Sequence, residues 1–300
     1  MPNSPVEIEV NLVQRLIQAQ FPQWAGLDIH PVANGGWDNR TFRVGQDLVA
    51  RLPSAEAYAT QAEREQQWLG RLAPRLSHPI PEVVGLGTPA LGYPWKWSVR
   101  RWLDGETATP ERIGSLQEFA QDLACFLCSL QAAPSTGGPE PGPDTFFRGG
   151  SLAVYDTETR RAIGLLAPRL DTEAATAVWE TALASWWMCE PVWVHGDMGV
   201  GNLLVADGKL SGVIDFGQFC VGDPACDLAP AWTLFDARTR EVFRANLPLD
   251  QATWARGRGW ALWKALIVAA RLTETTAWEG TRCWSAIESV LSDHARTEAS

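Results

Sequence analysis

No apolar run in this 300-residue chain approaches the ~18 residues that would span a bilayer. The opening MPNSPVEIEV has neither the basic nor the apolar stretch of a secretory signal, so no membrane partner is expected and a cytoplasmic location is. Cysteine is sparse and scattered. Of six cysteines only Cys125 and Cys128 lie close, in the apolar LACFLCSL, and no second pair completes a zinc site; all six read as reduced core thiols. Positive charge is also in short supply. The 25 Lys and Arg against 35 Asp and Glu leave a formal charge of −10, which excludes a polyanion such as nucleic acid as the main partner.

What remains is an ordinary globular composition, with length for one large domain or two lobes. The charge is uneven. Residues 1–103 hold 10 Lys and Arg against 9 Asp and Glu, near neutral, whereas residues 104–300 hold 15 against 26, a balance of −11. That excess is either ordinary surface carboxylate or a field that steers a cationic substrate.

Residues 6–20 have helical periodicity and stop before Phe21-Pro22. Short strand-like runs follow, TFRV and LVARL, parted by Gly45-Gln46-Asp47 as in a hairpin. AYATQAEREQQWLGRL has the composition of a helix, a strand is expected near 81–85, and WKWSVRRWL reads as another before Asp104-Gly105. Beyond it the chain turns to long helical patterns: GSLQEFAQDLACFLCSL, ATAVWETALASWWM and ARGRGWALWKALIVAARL. Between the first two lies PSTGGPEPGPDTFFRGGS, a Pro/Gly loop long enough to need a reason.

Chemistry concentrates in VHGDMGVGNLLVADGKLSGVIDFG. Asp207-Gly208 is a strong two-residue hairpin turn. With Ala206 opposite Lys209, Asn202 faces Val213, close to Asp215. An amide oxygen and a carboxylate suit magnesium, which takes few protein ligands and leaves the rest to water or phosphate. Asp197, just before the hairpin, is then placed to orient a hydroxyl and accept its proton while charge on the transferred phosphoryl group is neutralised. His195 belongs to the same catalytic loop.

HGDMGVGN followed by IDFG resembles the motif pair of aminoglycoside phosphotransferases, macrolide kinases and choline-kinase-like enzymes more than that of protein kinases, since HGD stands for the HRD-type triplet and no APE-like motif follows. The resemblance implies an α+β, protein-kinase-like two-lobed fold: a small antiparallel-sheet nucleotide-binding lobe over 1–103, a connection about 99–104, and a mainly helical catalytic and substrate-binding lobe over 104–300. It implies ATP, with GTP not excluded, Mg2+, and transfer to a hydroxyl of a small molecule, most simply an aminoglycoside or other antibiotic. A macrolide or metabolite kinase, a nucleotide-binding regulator without turnover, and a protein kinase are the competing readings. By the same likeness Asp227 in GDPACDLA braces the catalytic loop, Asp223 caps a helix, and backbone groups of Arg101 and Leu103 meet the adenine.

A small lobe of this kind holds phosphate with a strand cation and a helix carboxylate. The strand position in LVARLP is Arg51, not the usual Lys, and a planar fork is not equivalent to an ammonium. Glu65 shares a helix face with Trp68, Leu69 and Leu72 and is its expected partner, a surface ion pair being the alternative. Gly35-Gly36 stand either at the phosphate-covering turn or in an ordinary hairpin turn. The acidic second lobe favours a polyamine substrate. Its tryptophans (Trp179, Trp186, Trp187, Trp232, Trp254, Trp260, Trp263, Trp278 and Trp284) either fill the core or line an apolar pocket.

Overall fold

Alternating apolar residues, broken by Gly and Asp, make strands that bury one face. In the computed structural model, which describes residues 7–32 and 38–298, the chain divides into two compact units. One is Met1–Gly105 with Ser211–Gly217, and the other is Glu106–Leu210 with Gln218–Ser300.

The first unit opens on α1 (Val10–Gln20) and continues through β1 (Ile29–Pro31), β2 (Asn39–Val44), β3 (Leu48–Pro53), α2 (Gln61–Leu72), β4 (Val83–Gly87) and β5 (Trp97–Arg101). Its sheet is ordered β1-β2-β3-β5-β4, every neighbour antiparallel. The β2–β3 turn falls at Gly45, whose φ of +60° suits glycine. Leu12, Val13, Leu16 and Ile17 of α1 cover Phe42, Val44, Ala50, Leu52 and Val99 of the sheet. The helix expected from residue 57 begins at Gln61, after a separate 3-10 turn at Glu56–Tyr58. Its buried face carries Glu65 together with Ala62, Trp68, Leu69 and Leu72.

The second unit is mainly helical: β6 (Glu106–Thr107), α3 (Leu116–Gln131), α4 (Asp156–Leu166), α5 (Thr172–Leu183), β7 (Val192–Val194), β8 (Leu203–Ala206), the start of β9 (Lys209–Val213), β10 (Cys220–Gly222), α6 (Pro230–Thr233), α7 (Ala237–Ala245), α8 (Gln251–Ala269) and α9 (Ala277–Glu298). Side-chain caps start the helices. Ser115, Asp171, Asp236 and Asp250 accept from the backbone N–H groups of Glu118, Ala174, Thr239 and Thr253. Helix α8 is buried on all sides from Thr253 to Trp263. Its Gly259 lets α5 approach, since a Cβ there would stand 2.6 Å from that of Ala182. An antiparallel-sheet unit and a mainly helical one are the α+β architecture expected, and no helix among the described residues is long and apolar enough to cross a membrane.

Two local expectations fail. Helix α5 ends at Leu183, so Trp186 and Met188, which the pattern had extended it to, are 70% and 77% exposed. Trp179, Trp232, Trp254, Trp260 and Trp263 are core, whereas Trp187, Trp278 and Trp284 are half-buried. All six cysteines are free, but Cys125 and Cys189 are exposed rather than core: Cys125 sits on the outward side of α3, between Ala124 and Phe126, which are buried. The Pro/Gly segment 134–151 earns its length by pairing with backbone. Val221 N–H donates to Pro139 and Asp223 N–H to Gly149, while the Trp193 indole donates to Pro134.

Candidate active site

In the second unit the antiparallel pair β7–β10 delivers the chain into His195-Gly196-Asp197. Both oxygens of buried Asp227 are spent on this turn: Oδ2 accepts the His195 N–H at 2.7 Å and Oδ1 the Gly196 N–H at 2.8 Å. Burial pushes the Asp227 carboxyl above its ordinary range, and the nearby His195 and the two amides act against that shift. Gly196 has φ +84°, and a Cβ there would lie 2.6 Å from the Gln218 carbonyl oxygen. No other residue fits without moving backbone. His195 is fully buried, and its Nδ1 accepts from the Asp197 N–H at 3.2 Å.

Asp197 thus emerges half-buried from a turn fixed at both preceding residues. A 3-10 turn, Val200–Asn202, brings Asn202 back toward it. Asn202 Nδ2 donates to the Asp197 carbonyl at 2.8 Å and to its carboxylate Oδ2 at 3.1 Å, which leaves Oδ1, a hard oxygen, for a cation. The hairpin turn follows as expected, Asp207 and Gly208 both having positive φ (49° and 75°). Asp223 caps the 3-10 turn Pro224–Leu228 through Ala225 N–H and is held by Arg256 Nε at 2.6 Å.

The first unit holds a separate charged cluster, and Asp215 is part of it. Arg51, on β3, is 8% exposed. Its Nη1 reaches Glu65 Oε1 at 3.4 Å, and its Nη2 reaches Asp38 Oδ2 at 3.1 Å and Asp215 Oδ1 at 2.5 Å. Burial alone would lower the Arg51 pKa, but Asp215, Glu65 and Asp38 together raise it above the ordinary value. Glu65 is fully buried and shared: Arg100 of β5 places Nη1 3.2 Å from Oε1 and Nη2 against Oε2. Burial holds Arg100 below its usual pKa despite Glu65, and burial raises Asp38 despite Arg51. Asp215 adopts φ +65°, a region that Asp tolerates better than most residues.

Asp38 and Arg100 escaped the sequence reading. The signal for Arg100 was available, because Ser98 and Arg100 alternate on one face of an otherwise apolar strand, and both are buried. Asp38 carried none beyond its place beside a turn. Gly35 and Gly36 lie outside the described residues. Arg101 is exposed and pairs with Glu82 at 2.9 Å. Its backbone N–H is committed to the Glu82 carbonyl; Leu103 is half-buried.

Compared with known proteins, residues 28–260 match the phosphotransferase enzyme family, APH. An aminoglycoside 3'-phosphotransferase of Escherichia coli is 28% identical over 212 residues, which are 64% of this chain and 70% of that protein. Among solved structures, the GDP complex of wild-type aminoglycoside 2'-phosphotransferase-IIIa is 18% identical, with a TM-score of 0.68 over 96% of this chain and 100% of the other. The macrolide 2'-phosphotransferase MphH from Brachybacterium faecium is 19% identical, with a TM-score of 0.58 over 93% and 97%. At these identities the two structures establish the fold.

Proposed function

We propose, from the premise that the chain belongs to the phosphotransferase enzyme family and is a small-molecule kinase, that it moves the γ-phosphoryl group of ATP to a hydroxyl of an antibiotic-type small molecule. The similar proteins act on aminoglycosides and macrolides by name, and either class supplies such a hydroxyl. ATP is the donor; GTP is the alternative, since a structural neighbour holds GDP.

The observation that carries this reading is Asp197, a half-buried carboxylate on a turn fastened by Asp227 and touched by Asn202. Asp197 would align the acceptor hydroxyl and take its proton as the oxygen bonds to the γ-phosphorus and the bond to the β–γ bridging oxygen breaks, releasing ADP. Asn202 Oδ1 and the Asp215 carboxylate are hard oxygen donors that fit magnesium, and we assign them to it. The ion would neutralise phosphate charge. Arg51, held by Glu65, is assigned to the phosphates, and backbone groups of Arg101 and Leu103 to the purine. Asp227 and buried His195 keep the catalytic turn in shape.

Incubation with ATP, Mg2+ and a panel of hydroxylated antibiotics, with ADP release as readout, tests the proposal. Asp197→Ala should lower turnover ~100-fold or more while nucleotide binding persists; near-normal turnover would remove Asp197 from the role. Nucleotide binding without transfer to any acceptor would instead favour a regulator, the reading that Arg51 in place of Lys raises.

A further inference from the structure

One cation beside the catalytic turn has no acidic partner. Arg148 stands in the Pro/Gly segment with its Cβ against Gly196, 3.2 Å from where a Cβ of that glycine would be. The next residue is Asp197. The Arg148 backbone is fixed, since its N–H donates to the Thr145 carbonyl and its carbonyl accepts from Cys220 Sγ. Its guanidinium lies over two indoles of α8, 4.9 Å from the Trp260 centroid and 4.7 Å from that of Trp263. Tyr155 stacks on Trp263 at 4.0 Å and meets Trp260 edge-on at 5.8 Å.

Of the carboxylates beside this platform, Asp156 is paired with Arg160, whereas Glu158 keeps its negative charge next to Tyr155. Glu158 accepts the Trp263 indole N–H at 2.8 Å, and Asp156 is held by Arg160 and Trp179. Among the described residues no carboxylate forms an ion pair with Arg148. Two buried donors in the cluster, Arg148 Nε and Trp260 Nε1, find no acceptor, a state that costs free energy and is uncommon in native proteins. The unit as a whole is acidic, but at ~8–10 Å of screening length the nearest charge governs what a bound molecule meets.

The geometry points to Arg148 and its aromatic platform as the part of the acceptor site that selects substrate: a hydroxylated molecule with an apolar or aromatic face and a carboxylate or comparable anionic group, not a polyammonium compound. A carboxylate satisfies the fork of Arg148 with charge-assisted bonds, the face packs on half-buried Tyr155, whose other side the buried Trp263 supports, and an ammonium is repelled. This rests on the phosphotransfer reading, and within it sets the acceptor apart from the aminoglycosides and macrolides that the similar proteins are named for.

The test uses two probes with the same ring and hydroxyl, 4-(hydroxymethyl)benzoate and 4-(hydroxymethyl)benzylamine, with kanamycin as a polycation. Phosphorylation is followed by mass spectrometry, and binding by saturation-transfer NMR in the presence of a non-hydrolysable ATP analogue. The benzoate should exceed the benzylamine at least tenfold in kcat/KM or affinity, about 1.4 kcal/mol. Arg148→Gln should erase that ratio, Arg148→Glu should invert it, and Arg148→Lys should keep its sign. Failure of the benzoate to bind, preference for kanamycin by the parent protein, or a ratio unchanged in Arg148→Gln overturns the assignment. Failure of the phosphotransfer reading looks different: no acceptor yields Asp197-dependent product, while the binding ratio still reports on Arg148.

Discussion

Glu65→Gln removes one negative charge and almost no volume from a carboxylate that is fully buried between two arginines. Arg51 keeps Asp38 and Asp215. Arg100 does not fare as well: it is 4% exposed, and its other hydrogen-bond partner is the Ser98 hydroxyl at 3.0 Å. The cost is therefore that of a stranded charge, ~3–5 kcal/mol for breaking a buried pair from one side. At ~2–4 °C per kcal/mol for a chain of this order, the thermal midpoint should fall by roughly 10 °C. High salt should change this little, because buried charges are weakly screened. Adding Arg100→Met takes the stranded charge away, so the double variant should melt above Glu65→Gln. Thermal unfolding by circular dichroism at matched protein concentration reads both. A Glu65→Gln midpoint within about 2 °C of the parent, where ~6 °C is the least expected, would show that Arg100 finds solvent, and the reasoning would fail. So would a double variant that melts below the single one.

Arg51→Lys should keep turnover within roughly tenfold, since a point charge can hold phosphate, but lose stability, because one ammonium cannot meet Glu65, Asp38 and Asp215 as the fork does; steady-state kinetics and a melt check the two halves separately. Asp215→Ala should abolish magnesium-dependent ATP binding in a calorimetric titration. Asp250→Ala should leave that titration unchanged yet cost ~1 kcal/mol, because Asp250 caps α8 through Thr253. Burial pushes Asp293 up, but Arg240, Trp232 and Arg258 outweigh it and hold the carboxyl below its ordinary 3.8. A depressed folded-state pKa gives stability that is present above the unfolded value and lost as pH falls through the folded one. The melting difference between the parent and Asp293→Asn should thus be large at neutral pH and shrink below about pH 3.8; a constant difference would refute the assignment.

What the sequence made legible was what periodicity and turn chemistry encode. The spacing of Glu65 from Trp68, Leu69 and Leu72 placed it on a buried face, where it lies, and Asp207-Gly208 marked a hairpin turn that exists. Glycine inside ARGRGWALWKAL did not obscure the helix, because close packing against Ala182 requires it. Long-range partnership was not legible. Nothing local ties Arg100 to a carboxylate 35 positions earlier, or Arg148 to indoles more than a hundred positions later. The early end of α5 also escaped, since Trp186, Trp187 and Met188 continue an apolar pattern while Trp186 and Met188 stand exposed.

The segment 134–151 has the composition of a stretch where sequence drift concentrates, but its backbone forbids that. A Cβ at Gly222 would stand 2.2 Å from the Gly149 carbonyl oxygen, and one at Gly138 would stand 2.3 Å from a Val221 methyl. Insertions here, and replacements of Gly138 or Gly149, should therefore be purged as firmly as core changes. Side chains that point outward from it are less constrained: Phe146 and Phe147 are 45% and 37% exposed, and only their positive φ of 49° and 54° limits replacement, disfavouring β-branched residues. A segment fixed in path and loose in decoration can change the surface it presents by single substitutions, with no change to the scaffold beneath it.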